Sequence, residues 1–164
     1  MEIFVYTLIA IGAFAGAFVL AWLVFGAFIK AGENRQIREY VREYATTLNE
    51  QSTITRQNIV DWTRTMGDIN ITVRERADDP QMPHSLRWNN KTFALAYGTD
   101  AGVLLIVWIT DDYAARISKS HRIDRAKFPK GPYWWTIPLD QTWTNKEMVM
   151  ELLKNSVGYV SKRK

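Results

Sequence analysis

Charged residues are missing from the first part of the chain and then return at regular intervals. Positions 3–29 read IFVYTLIAIGAFAGAFVLAWLVFGAFI, 27 positions without a charge between Glu2 and Lys30. A helix needs about 20 apolar residues to cross the hydrocarbon core, and it satisfies its own backbone hydrogen bonds there. The run therefore predicts a single transmembrane helix, an anchor over 1–31. It is too long for a secretory signal, and its leading flank carries no Lys or Arg. After Lys30, the residues Ile37, Tyr40, Val41, Tyr44, Ala45 and Leu48 recur at helical spacing, which predicts an amphipathic helix over 34–49. Thr53 or Thr55 caps a second helix that ends near Met66, with Gly67 as its stop. Together these helices make a juxtamembrane segment, 32–67.

From Ile69 the period changes to two. Ile69, Ile71 and Val73 alternate with Asn70, Thr72 and Arg74, the pattern of a half-buried strand. A polar loop over 75–84 leads into LRWNNKTFALAYG, two strands around Asn89-Asn90, since Asn tolerates the positive φ of a tight hairpin. After a second turn at 99–102 comes VLLIVWI, which has no polar residue and predicts the central strand. Thr110-Asp111-Asp112 starts a short helix running to about Ser120. YWWTIPL is a further strand, either at an edge or with the Pro138 nitrogen facing outward, because proline has no ladder donor. Thr144-Asn145-Lys146-Glu147 matches a capping box ahead of a last helix with Val149, Leu152, Leu153, Val157 and Val160 as its stripe. The fold class is α+β, an antiparallel sheet flanked by helices over 68–164, behind the transmembrane helix.

Charge adds an orientation. Lys30, Arg35, Arg38 and Arg42 follow the apolar run, and basic flanks stay cytoplasmic. The N-terminus is expected outside and the soluble domain in the cytoplasm, in a single-pass membrane localisation. The absence of cysteine fits a reducing compartment without demanding one. Gly12 and Gly16 form a GxxxG that suits helix–helix contact, with ordinary membrane-helix composition as the alternative. Overall the chain has 21 basic and 17 acidic residues, a surplus of +4 that suits an anionic neighbour.

Three stretches carry a family resemblance. WNNKTFALAY, with Lys91, Phe93 and Ala94, resembles the hairpin of the MmcQ/YjbR-like family. WWTIPLD, with Trp134, Thr136, Ile137, Leu139 and Asp140, resembles that family's W-x-T-V-x-L-D. MVMELLKNSVGYVSK resembles its closing helix, with Ser156 at the serine. The resemblance covers about 86–162, roughly half the chain, and departs from the family's N-K-x-H where Lys130-Gly131-Pro132-Tyr133 stands. It implies a double-wing α/β fold generally labelled DNA-binding.

The candidate binding residues are Lys119, Arg122, Arg125, Lys127 and Lys130, beside Tyr133, Trp134 and Trp135. Cations hold phosphates while rings stack on bases, and the same patch suits lipid headgroups. The plain alternative is a solvated loop whose tryptophans belong to the core. Lys91 joins the set through the resemblance. Catalysis finds little footing. There are two histidines, His84 and His121, and no cysteine, and the acidic pairs Asp78-Asp79 and Asp111-Asp112 are adjacent rather than facing. Neither a nucleophile motif nor metal-ligand spacing appears, so no enzyme activity, cofactor, metal or small-molecule substrate is expected. The expected function is a membrane-anchored cytoplasmic interaction or adaptor module, partnered by the bilayer and by a protein or a second copy. The alternative is a membrane-tethered nucleic-acid (DNA) binding protein.

Overall fold

The computed structural model describes residues 2–46, 53–75, 82–99, 102–143 and 145–162, with side chains from residue 19 onward except at 21, 25 and 28. A single helix, α1 (Glu2–Thr46), takes in both the apolar run and the amphipathic stretch after it. Among the described residues, no helix is long and apolar enough to cross a membrane. α1 instead runs on without a break past the apolar run into Lys30, Glu33 and Arg35. This overturns the transmembrane helix in the expected fold class, and with it the single-pass membrane localisation and its outside-to-cytoplasm orientation. The Gly12–Gly16 contact falls outside the described side chains.

The chain divides into two compact units, Met1–Glu39 and Tyr40–Lys164. The first is helical, and its described surface carries an ion pair between Arg35 and Glu39 at 3.1 Å, one turn apart. The second holds the last turns of α1 and an α+β domain. Its elements are α2 (Arg56–Arg64), β1 (Ile71–Arg74), β2 (His84–Trp88), β3 (Lys91–Thr99), β4 (Gly102–Trp108), α3 (Asp111–Ile117), β5 (Asp124–Arg125), β6 (Trp134–Leu139) and α4 (Lys146–Ser161). The strands form one antiparallel sheet in the order β1-β2-β3-β4-β6-β5.

Local chemistry accounts for the element ends. Thr55 caps α2 and forms a reciprocal box with Asn58, and Gly67 turns the chain with φ +73°. Asn89 and Asn90 both take positive φ, 44° and 63°, as a two-residue hairpin turn between β2 and β3 demands. Thr110 caps α3. The cap of α4 is Asn145, whose side chain accepts from the Met148 amide at 3.0 Å. It stands one residue later than the expected box, and Thr144 lies outside the described residues.

The run Val103–Val107 on β4 is buried at every position, so both faces of the sheet are covered there. On one face, Leu86, Ala94, Ala96, Val103, Leu105, Val107, Ile137 and Leu139 form a cluster with Ile59 of α2 and Val149, Leu152 and Leu153 of α4. On the other, Ile106 and Thr136 stand opposite each other, and the Tyr40 hydroxyl at the end of α1 lies 2.9 Å from Thr136 Oγ1. Of the two placements expected for β6, the outermost one does not hold, because β5 pairs beyond it at Trp135 and Thr136. Pro138 lies past the end of β5, opposite Leu104, where no ladder donor is needed on the open side.

Ser156 is fully buried on α4. Its hydroxyl lies 2.8 Å from the Phe93 carbonyl and 3.0 Å from the Trp108 carbonyl, just beyond the last β3–β4 pair, Ala94 with Val107. One hydroxyl thus ties α4 to main-chain carbonyls of both β3 and β4. Removing it takes away a buried hydrogen bond and leaves a small void, which costs about 1–3 kcal/mol. Ser156→Ala should lower the urea-unfolding free energy by that amount, and a loss below about 0.5 kcal/mol would show that water takes over the hydroxyl's role. His84 is also buried, and burial first, then the nearby Arg56 charge, hold its pKa below the ordinary 6.5 while Glu75 opposes them. The folded state prefers the neutral ring, so stability is full above pH 6.5 and falls as acidification forces a proton onto it. Denaturant midpoints between pH 7.5 and pH 5 should drop less in His84→Gln than in the natural chain.

Candidate binding surface at the β5 edge

The basic loop between α3 and β6 folds its charges onto the domain's own rings and carboxylates. β5 is two residues long, and the pleat sends them to opposite faces. On the core side Arg125 stands in register with Trp135, its guanidinium 4.0 Å from the indole centroid. Its Nη2 also reaches Asp111 Oδ1 at the start of α3, 3.0 Å away. On the other side Asp124 faces Thr136 in register and accepts a hydrogen bond from the Tyr44 hydroxyl. Arg122 lies 3.3 Å from the same carboxylate and 4.5 Å above the Tyr44 ring. Lys127 stands 5.2 Å from the centroid of Tyr40, and Tyr40 meets Tyr44 edge to face at 5.9 Å.

Three of the five predicted loop cations, Arg122, Arg125 and Lys127, therefore clasp the edge strand and the end of α1. Cation–π contacts at partly exposed sites contribute about 0.5–1 kcal/mol each. Burial first, then the bond to Asp124, push the Tyr44 phenol far above its usual range, and burial raises Tyr40. Both phenols stay protonated at any physiological pH.

The remaining predicted residues scatter. Lys119 and Lys130 are exposed, and among the described residues neither has an ion pair or ring contact. Lys91 follows the Asn89-Asn90 turn at the start of β3, with β4 and β6 between it and the edge strand. Trp134 and Trp135 point to opposite faces. Trp135 packs on the core cluster, and Trp134 lies opposite Trp108, against which Tyr133 packs edge to face at 5.5 Å. No single surface presents both indoles, so the pair does not form one stacking platform.

Tyr40, Tyr44 and Asp124 are the members that sequence reasoning missed. The signal was present in α1: two phenols one turn apart on a buried stripe need hydroxyl partners. Their partners stand 96 and 80 residues away, which no local pattern reveals. The arrangement can anchor a helix to a sheet edge, and an anion approaching it must compete with rings and carboxylates already in place. No family model matches the chain, and no curated protein matches it.

The clasp makes a measurable coupling. Hydrogen bonds to charged groups contribute about 1.5–3 kcal/mol, and a double-mutant cycle isolates the pair. Tyr44→Phe and Asp124→Asn should couple by about 1–2 kcal/mol in urea unfolding, whereas additive effects within about 0.3 kcal/mol would show that the two groups act independently.

Proposed function

We propose that the chain is a non-catalytic interaction module, with its α+β domain as the body and α1 as the element that meets a protein partner, a second copy included. One observation carries this reading. Val19, Leu20, Trp22, Leu23, Val24 and Ile29 of α1 are each at least half exposed, and Trp22 is 74% exposed. At 100° per residue these positions run round most of the helix rather than along one stripe, and a helix apolar all round is normally buried. Contiguous apolar surface of this kind marks contact with another molecule.

The basic loop gives the nucleic-acid reading less support, because its arginines are spent on Asp111, Asp124 and two rings. The MmcQ/YjbR-like resemblance stays within the proposal as a reading of the domain. Its three stretches fall on the β2–β3 hairpin, on β6 and on α4, and its serine is the buried Ser156.

Sedimentation velocity of the full chain tests the proposal, with chemical cross-linking of bound proteins alongside. The natural chain should sediment as a dimer or larger, or carry a stoichiometric partner. Leu20→Glu/Leu23→Glu should release a monomer with unchanged circular dichroism. A natural chain that stays monomeric and partner-free at about 100 μM would sink the reading, since contact through exposed apolar surface commonly reaches micromolar affinity.

A further inference from the structure

A cleft between α3 and α4 lies apart from the clasp. It measures about 220 Å³, below the ~300–1,000 Å³ of sites for drug-sized ligands, so its occupant is small. Arg116, Ile117, His121, Trp143, Met148 and Glu151 line it, with Tyr113 at its α3 side.

The polar groups of the cleft have defined roles. Thr142 Oγ1 donates its one proton to Asp140 Oδ1 at 2.6 Å, and Asp140 also holds the Thr142 amide at 2.8 Å. The hydroxyl can then only accept from His121, whose Nδ1 is 2.8 Å away. His121 therefore carries its proton on Nδ1 and keeps an acceptor lone pair on Nε2. The ring is held flat against Trp143, at 4.3 Å and 27° between planes. Burial favours this neutral form, against the opposing pull of Asp140. Arg116 is steadied over the Tyr113 ring at 4.9 Å, and the Tyr113 hydroxyl accepts from Asn155 at 3.0 Å.

The cleft thus offers a planar cationic donor, an anionic acceptor, a neutral imidazole acceptor and an apolar floor of Ile117, Met148 and Trp143. Its formal charges, Arg116 and Glu151, cancel. Charge complementarity selects a ligand that is neutral overall yet carries both signs. We propose that this cleft binds a small zwitterion, an α-amino acid with an apolar side chain. Arg116 takes the carboxylate through its two-pronged geometry. Glu151 and His121 Nε2 accept from the ammonium, and the side chain lies on Ile117, Met148 and Trp143.

The test titrates the full chain with L-leucine and L-methionine, following the His121 imidazole and Trp143 indole signals by nuclear magnetic resonance. Saturable shifts are expected in the millimolar range, with N-acetyl-L-leucine and L-leucinamide weaker by about tenfold or more. Arg116→Ala and Glu151→Gln, both at exposed positions, should weaken leucine by a similar factor without changing the melting temperature. Three results would overturn the proposal: no saturable shift up to about 20 mM, equal binding of the blocked derivatives, or leucine binding unchanged in both variants.

Discussion

The constraint on which the domain depends is that β4 is apolar on both sides. A strand that reads Val-Leu-Leu-Ile-Val offers no polar face to water, so each face needs a cover. α2 and α4 supply one, with Ile59, Leu152 and Leu153 closing over Val103, Leu105 and Val107. The second face receives the tyrosines at the end of α1, which meet Thr136 beside Ile106 and Asp124 beyond it. Burial on that side requires the phenol hydroxyls to find acceptors or donors, because an unsatisfied buried hydroxyl costs more than its bond contributes. Thr136 of β6 provides one partner, and Asp124 of the two-residue edge strand β5 provides the other.

From this follows a change in what the basic loop means. Arginine and lysine beside aromatic residues invite a nucleic-acid interpretation, since the same residue types bind phosphates and bases. Here the rings that receive the cations belong to the domain itself. Arg125 covers Trp135, Arg122 covers Tyr44 and Lys127 stands over Tyr40. The long stems of these side chains cover apolar surface while their heads stay wet, an arrangement that contributes to packing as much as to charge.

Much of the domain was legible because its signals are local. The Asn89-Asn90 turn, the Thr55 and Thr110 caps, the all-apolar β4 and the stripe of α4 each depend on neighbours within a few residues. The features that escaped depend on distant partners. Thr142 reaches His121 across 21 residues, and Tyr44 reaches Asp124 across 80, so neither polar chain has a sequence period. Pro138 left two placements for β6, an outermost strand or a nitrogen facing outward, and the two residues of β5 beyond Trp135 and Thr136 decide against the first. The expectation for the first segment failed differently. Counting uncharged positions measures length alone, whereas α1 runs through the count's end into Lys30, Glu33 and Arg35 as one helix.

Pro138 has a last consequence, for what the sheet can do with strangers. β5 shields only the first part of β6, which leaves the remainder as an open strand margin of the kind that recruits other chains into a growing ladder. A proline set in that margin offers no amide to an incoming strand and breaks the run of donors such growth needs. The domain can thus keep a short, partial edge strand, shaped by its salt bridges rather than by its length, without opening a route to cross-β assembly.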